Sequence, residues 1–325
     1  MNQLHIEHLP NELIIYIFEY FHGEELFRSF FNLNNRLNNL IKSINTLSLI
    51  ISKNNQYEIN NFHIFSSYLY TLIINDNINL NLRLFSNIHR LILIHPINNL
   101  LEQLNSDILY NLEHLSIKYT NSTNRISYDN KIIFLNNFPN LKSYDISNYE
   151  IIQQIEGWQQ SLTLCILKLG YIDLLTFQTV LSVCPNLYYF DLGIIIHSES
   201  LIEIKSHINL KQLILRTSNN ALMKYENVSI FKNLFLCLSN LEKLSIHRKD
   251  NISIIKKSFI TYDWLSSIIQ IYLPVLKQFN YYFHVFQLNN TKIQIGPHLN
   301  NILKKIIENF YYVHNNRYHA RLIID

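Results

Sequence analysis

"CPNLYYFDL", Cys184 to Leu192, is the stretch on which the fold turns. Leu187, Phe190 and Leu192 hold the first, fourth and sixth places of a six-residue phrase. Its last three places alternate apolar, polar, apolar, as a strand does when one face is buried and the other wet. The same phrase recurs on both sides: "INTLSL" from Ile44, "LYTLII" from Leu69, "IHRLIL" from Ile88, "LEHLSI" from Leu112, "LKSYDI" from Leu141 and "LCILKL" from Leu164 precede it. "LKQLIL" from Leu210, "LEKLSI" from Leu241 and "LKQFNY" from Leu276 follow. Successive starts lie 25, 19, 24, 29, 23, 23, 23, 31 and 35 residues apart, and three consecutive intervals of 23 mark a repeat rather than coincidence.

Several phrases are introduced alike, by "FPNL", "CPNL", "LSNL" or "LPVL", after apolar runs such as "LLTFQTVLSVC" and "VSIFKNLFLCL". Pro139, Pro185 and Pro274 stop those runs if they are helical. The unit is therefore helix, short turn, strand. One copy cannot bury its own apolar face, whereas stacked copies can, which predicts an α/β solenoid with parallel strands inside and helices outside. The phrase and period resemble leucine-rich repeats of the longer, helix-containing kind over roughly residues 44 to 285. That resemblance implies an irregular horseshoe, since Thr120, Tyr149, Ile195 and Ser218 stand where the family places a turn-capping Asn or Cys. "GPHLNNILKKIIENFYYVHNNRYHARLIID" reads as an amphipathic helix from about His298 to Phe310 and a final strand that caps the array.

Composition narrows the function classes. Among 325 residues, 48 % are hydrophobic and 16 % charged, so the chain has ample apolar surface to fold. Lys and Arg number 27 against 24 Asp and Glu, and no run of like charge builds a stripe for a phosphate backbone. No uninterrupted apolar window of about 18 residues or basic-then-apolar leader stands out. The expectation is a soluble protein, cytoplasmic, nuclear or both, with no nucleic acid and no membrane as partner. Cys165, Cys184 and Cys237 are odd in number, far apart and in apolar contexts, as reduced buried thiols are.

Residues 1–45 have a different texture. Pro10 suits a helix start, Glu12 its first turn and Gly23 a break after Phe21, giving a first helix from Asn11 to Phe21. Between Leu13 and Phe21 only Glu19 is neither apolar nor aromatic, so this helix needs cover on more than one side. A second helix starts at Glu24 and Glu25 and a third follows "LNNR", with Asn34 or Asn35 able to cap it and Leu37, Leu40, Ile41 and Ile44 buried. The segment resembles the F-box, whose core is L-P-x-E-L, then apolar-x-I-F, then a Leu-rich second helix. Leu9, Pro10, Glu12, Leu13, Ile17, Phe18 and Leu26 match in order, and Leu33 and Arg36 stand where the third helix begins. Asn34 replaces the Cys and Leu37 the Trp that the family favours.

That resemblance divides the chain into an F-box, 1–45, and a degenerate repeat domain, 46–325. It implies a substrate-recognition subunit of a Skp/cullin/F-box ubiquitin ligase. Leu9, Pro10, Leu13, Ile14, Ile17, Phe18, Leu26, Leu33 and Leu37 would dock a Skp-family adaptor and, through it, a cullin. The repeats would hold a protein substrate. The alternative is a leucine-rich-repeat interaction scaffold with a decayed F-box and no ubiquitin role.

In each phrase the third, fifth and seventh places point away from the core. They supply the candidate partner-binding residues Arg90, His114, Lys118, Asp145, Lys168, Tyr189, Asp191, Gln212, Arg216, Lys243 and His247, a mixed polar and aromatic strip of the kind proteins recognise.

Signatures of chemistry are sparse. Five glycines assemble no phosphate-cradling loop, and there is no G-x-S-x-G elbow. The close histidine pairs His5/His8 and His314/His319 lack nearby Cys or paired carboxylates and read as solvent-exposed. The reading is a protein that is not an enzyme, with no cofactor and no metal.

Overall fold

The computed structural model describes residues 6–44, 46–53, 66–119, 138–147, 158–194, 206–218, 228–251, 263–286, 297–314 and 319–324. The chain forms two compact units, Met1–Asp145 and Ile146–Asp325.

The first unit begins with a 3-10 turn, Ile6–His8, and three short helices: α1 (Asn11–Phe18), α2 (Gly23–Phe30) and α3 (Asn35–Ser43). Pro10 precedes α1, where a missing N–H costs nothing. The helix stops at Phe18 rather than Phe21, because Tyr20 and Phe21 donate to Ile17 and Phe18 carbonyls three residues back, closing the end with 3-10 bonds. Gly23 is the first residue of α2 rather than a break. A β-carbon there would lie 2.4 Å from the Ser48 carbonyl oxygen, so this helix end presses on the first strand. Asn34 caps α3 by accepting from the Leu37 N–H at 2.8 Å. Arg36 ties the entry together: its guanidinium donates to the carbonyls of Glu7 and Leu9 and to Asn11 Oδ1. Ile14, Phe18, Leu26, Phe27, Leu37, Leu40 and Ile41 fill the helical core.

Five strands follow: β1 (Ser48–Ile51), β2 (Thr71–Asn75), β3 (Arg90–Ile94), β4 (His114–Lys118) and β5 (Ser143–Asp145). Each pairs in parallel with the next, and Ser48, Thr71, Arg90, His114 and Ser143 stand in register. That register moves the first phrase. It starts at Thr46, not Ile44, because Leu49 and Ile51 lie opposite Leu72 and Ile74. Ile44, Leu47 and Leu49 mimic the same spacing two residues early. The return segments also differ from the expected unit: the described ones hold 3-10 turns at Ser66–Tyr68 and Leu82–Phe85 and the five-residue α4 (Asn98–Glu102). With 19 residues between Leu69 and Ile88, a longer helix plus two turns does not fit.

In the second unit four of the five returns between strands carry a helix. Strands β6 (Ile166–Ile172), β7 (Tyr189–Ile194), β8 (Gln212–Ser218), β9 (Lys243–Asn251), β10 (Gln278–Phe286) and β11 (Arg321–Ile324) follow one another. Helix α5 (Leu174–Val183) lies between β6 and β7, α6 (Val228–Leu236) between β8 and β9, α7 (Asp263–Tyr272) between β9 and β10 and α8 (Pro297–His314) between β10 and β11, while residues 195–205 of the return from β7 to β8 lie outside the described residues. From β6 to β11 each strand pairs in parallel with the next in chain order. Phrase places one, four and six are buried throughout, from Leu164, Leu167 and Leu169 to Leu276, Phe279 and Tyr281.

At five strand entries the register is pinned by an asparagine spine. The Asn just before a phrase donates through Nδ2 to the carbonyl two residues before the preceding phrase. Asn87 meets Ser67 at 3.3 Å and Asn140 meets Tyr110 at 3.0 Å in the first unit. Asn186 meets Leu162 at 2.7 Å, Asn209 meets Pro185 at 2.9 Å and Asn240 meets Ile208 at 3.1 Å in the second. Backbone bonds run beside it: the N–H groups of Tyr188 and Tyr189 both reach the Cys165 carbonyl, and those of Lys211 and Gln212 both reach Tyr188. His207, buried, joins the same edge by accepting from the Leu210 N–H at Nδ1 and contacting the Cys184 carbonyl through Nε2 at 3.0 Å, so Nε2 carries the hydrogen.

Candidate protein-binding face

All eleven strand-face candidates lie on the half-wet sides of their strands. Arg90, His114, Lys118 and Asp145 belong to β3, β4 and β5 of the first unit. Lys168, Tyr189, Asp191, Gln212, Arg216, Lys243 and His247 belong to β6 to β9 of the second. His114 is half-buried, and burial holds its imidazole below the ordinary histidine range, with Arg90, Lys142 and His89 adding to that against Glu113.

The second unit brings its candidates into contact. Gly193, Arg216, His247 and Tyr282 form one row across β7, β8, β9 and β10. The Arg216 Nε lies 3.0 Å from Asp191 Oδ1, and Nη2 donates to the Leu169 carbonyl at 2.7 Å. That carbonyl sits where the β6 register shifts between Lys168 and Tyr171. The His247 and Tyr282 rings stack at 4.1 Å and 12°, with His284 5.8 Å from His247. Lys168 Nζ stands 5.9 Å from the centre of the Tyr189 ring.

Tyr171, Lys249 and His284 are members of this face that the phrase does not reveal, and Tyr282 joins them from the seventh place of the phrase at Leu276, the place Arg216 and His247 hold in theirs. Lys249 and His284 lie beyond the seventh place, on strands of nine residues whose alternation simply continues. Tyr171 is hidden by the bulge, which changes which residues face the same way.

A second ladder runs along the strand entries at the second place of the phrase. In the first unit Tyr70 stacks on His89 at 4.8 Å, and Glu113 lies between His89 at 3.4 Å and Lys142 at 2.9 Å. In the second, Glu242 lies between Lys211 at 3.7 Å and Lys277 at 2.6 Å. The Lys142 and Lys277 hydrogen bonds hold the Glu113 and Glu242 carboxyls below the usual range. These are surface pairs, each a modest contribution.

On the N-terminal helices the docking candidates separate by burial. Ile14, Phe18, Leu26 and Leu37 are interior, so they shape the surface without offering it. Leu9 and Ile17 are half-buried, Pro10 is exposed, and Leu13 and Leu33 are 49 % and 61 % exposed. Tyr16 and Tyr20, 56 % and 72 % exposed, are further apolar surface on α1 and the turn after it. Tyr20 Oη donates to Tyr16 Oη at 2.6 Å, which raises the Tyr20 phenol above its ordinary value.

Of the paired histidines, His8 and His319 are exposed, as expected. His5 lies outside the described residues, and His314 is not solvent-exposed: it is wholly buried at the end of α8, against Phe279 and Phe310, and desolvation pushes its imidazole down to about 4. Thr120, Tyr149 and Ile195 also lie outside the described residues.

No protein-family model matches the sequence, and no curated protein matches it either. Among solved structures, an internalin from Listeria monocytogenes strain 4b F2365 aligns with 82 % of this chain and 90 % of its own, at 12 % identity and a TM-score of 0.32. A superposition that loose says nothing of ancestry or activity. The description of the repeats rests on the parallel register and the asparagine spine.

Proposed function

We propose that the chain is a repeat-built interaction scaffold that binds a protein partner on the strand face of its second unit and performs no chemistry itself. The observation that carries this reading is the row of Arg216, His247 and Tyr282, held in register on adjacent strands and left half-exposed. Aromatic and Arg side chains on a rigid support lose little entropy on binding and dominate protein recognition. The test is affinity capture with the full chain. His247→Ala with Tyr282→Ala is expected to lose a defined set of captured proteins that Lys304→Glu, on α8, retains. Identical sets from both variants sink the reading.

A second reading is favoured by the exposed Leu13, Tyr16, Tyr20 and Leu33. On it, the N-terminal helices dock a Skp-family adaptor and the repeats present a substrate to a cullin-based ubiquitin ligase, which acts by proximity. Leu13→Asp with Leu33→Asp, both at exposed sites, is expected to abolish co-purification with such an adaptor. Failure of the unaltered chain to bind the adaptor removes this role and leaves the scaffold intact.

A further inference from the structure

We infer that the partner of the second unit's strand face is an acidic, extended protein segment. The inference rests on the reading of that face as a protein-binding surface and adds the chemistry of what binds.

Charge is distributed unevenly. The whole chain is nearly balanced, at net +3. On the half-wet sides of β6 to β10, however, Lys168, Arg216, Lys243 and Lys249 face Asp191 as the one acid among the described residues. Asp191 is held by Arg216 at 3.0 Å, so the acid on the face is already countered by a face residue. His247 and His284 add two imidazoles beside Lys249, since Lys249 stands opposite His284 in the β9 to β10 register. A partner meeting this surface gains from carboxylates and meets repulsion from added lysines.

The geometry selects an extended chain. Neighbouring strands are about 4.8 Å apart, so the row Arg216, His247, Tyr282 offers a planar group on each of three successive strands. His247 and Tyr282 stack on one another with their rings nearly parallel, at 12°, which presents ring edges and a polar tip outward. Ring edges carry partial positive charge, as suits carboxylate oxygens. Nucleobases stack on open ring faces, and here each of the two rings already covers one face of the other.

The experiment uses the purified full chain and fluorescence anisotropy. The probes are a labelled peptide alternating Glu and Tyr, the same peptide with Gln for Glu, and a labelled single-stranded oligonucleotide of matched charge. The Glu peptide is expected to bind about tenfold or more tightly than the Gln peptide and to weaken as salt is raised from about 0.05 M to about 0.3 M. Lys243→Glu with Lys249→Glu is expected to lose that advantage, His247→Ala to lose part of it, and Lys304→Glu to keep it. Circular dichroism melting checks that each variant is folded. Equal binding of the two peptides, an unchanged Lys243→Glu/Lys249→Glu variant that is folded, or tighter binding of the oligonucleotide overturns the inference. If the capture experiment above succeeds while the Glu peptide fails, the scaffold stands and the acidic partner falls.

Discussion

The ring of Tyr171 lies directly over Gly193: a β-carbon placed on residue 193 would come 2.3 Å from Tyr171 Cδ1 and 2.6 Å from Cε1. The two residues face one another across β6 and β7, just past the point where the register shifts. Gly193 leaves the space that Tyr171 occupies. Gly193→Ala is therefore expected to destabilise the second unit by about 1–3 kcal/mol, the usual range for overpacking. Adding Tyr171→Ala is expected to restore part of the loss, a coupling readable from denaturant midpoints of the two single variants and the double.

The asparagine spine makes a second prediction. Asn186→Ala and Asn209→Ala each remove a donor that crosses to the preceding repeat, at a cost of about 1 kcal/mol apiece. Asn39, exposed on α3, is the comparison, and its alanine variant is expected to stay within about 0.5 kcal/mol of the parent. Urea titration followed by circular dichroism distinguishes the two classes.

Acid sensitivity should trace in part to His314. Its imidazole is neutral when folded, with burial lowering it to about 4, and in the unfolded chain it returns to an ordinary value of about 6.5. A depressed folded value means the unfolded state binds more protons between those limits. The contribution is complete above about pH 6.5 and falls away as pH drops toward 4, by up to about 3 kcal/mol. Glu113 and Glu242, also lowered, lose their contributions in the same direction at more acidic pH. His314→Phe is expected to flatten the fall between pH 6.5 and about 4 in a stability-against-pH series.

Thiol chemistry offers a fourth check. Cys184 and Cys237 are buried and their thiols are pushed up to about 12 by desolvation, whereas Cys165 is partly accessible. A thiolate-seeking reagent at neutral pH is expected to modify Cys165 alone in the native protein and all three cysteines after denaturation. Mass spectrometry of the labelled peptides reads the outcome.

Much of this architecture is written in the phrase itself. Leu187, Phe190 and Leu192 repeat in kind from Leu69 to Tyr281, and their burial follows because a two-residue period leaves one choice of face. The first phrase slipped by two residues because Ile44 supplies an apolar residue where Thr46 does not. Tyr171 was hidden for a different reason: a bulge is a property of pairing between β6 and β7, and neither strand's sequence announces it. The spine was visible as the Asn of "FPNL", "CPNL" and "LSNL", read there as part of a turn. Its hydrogen bonds run between residues 20 to 32 positions apart, which only the fold brings together. On α1 the all-round apolar texture leaves open which side is covered; the burial of Ile14 and Phe18, with Phe18 against Phe30 of α2 and α1 packed on α3, decides it and leaves Leu13 and Tyr16 outside.

Where an asparagine of the spine pins a strand at its entry, the distance the chain has travelled from the previous entry is of little consequence. The phrase that follows Asn87 after 19 residues and the phrase that follows Asn240 after 31 begin their strands in the same register. Alignment is decided at one end of the repeat, so the other end is free to grow or shrink. Such a chain can acquire whole new loops without disturbing the surface it presents, and the returns between strands are where foreign segments could be grafted at least cost to the rest.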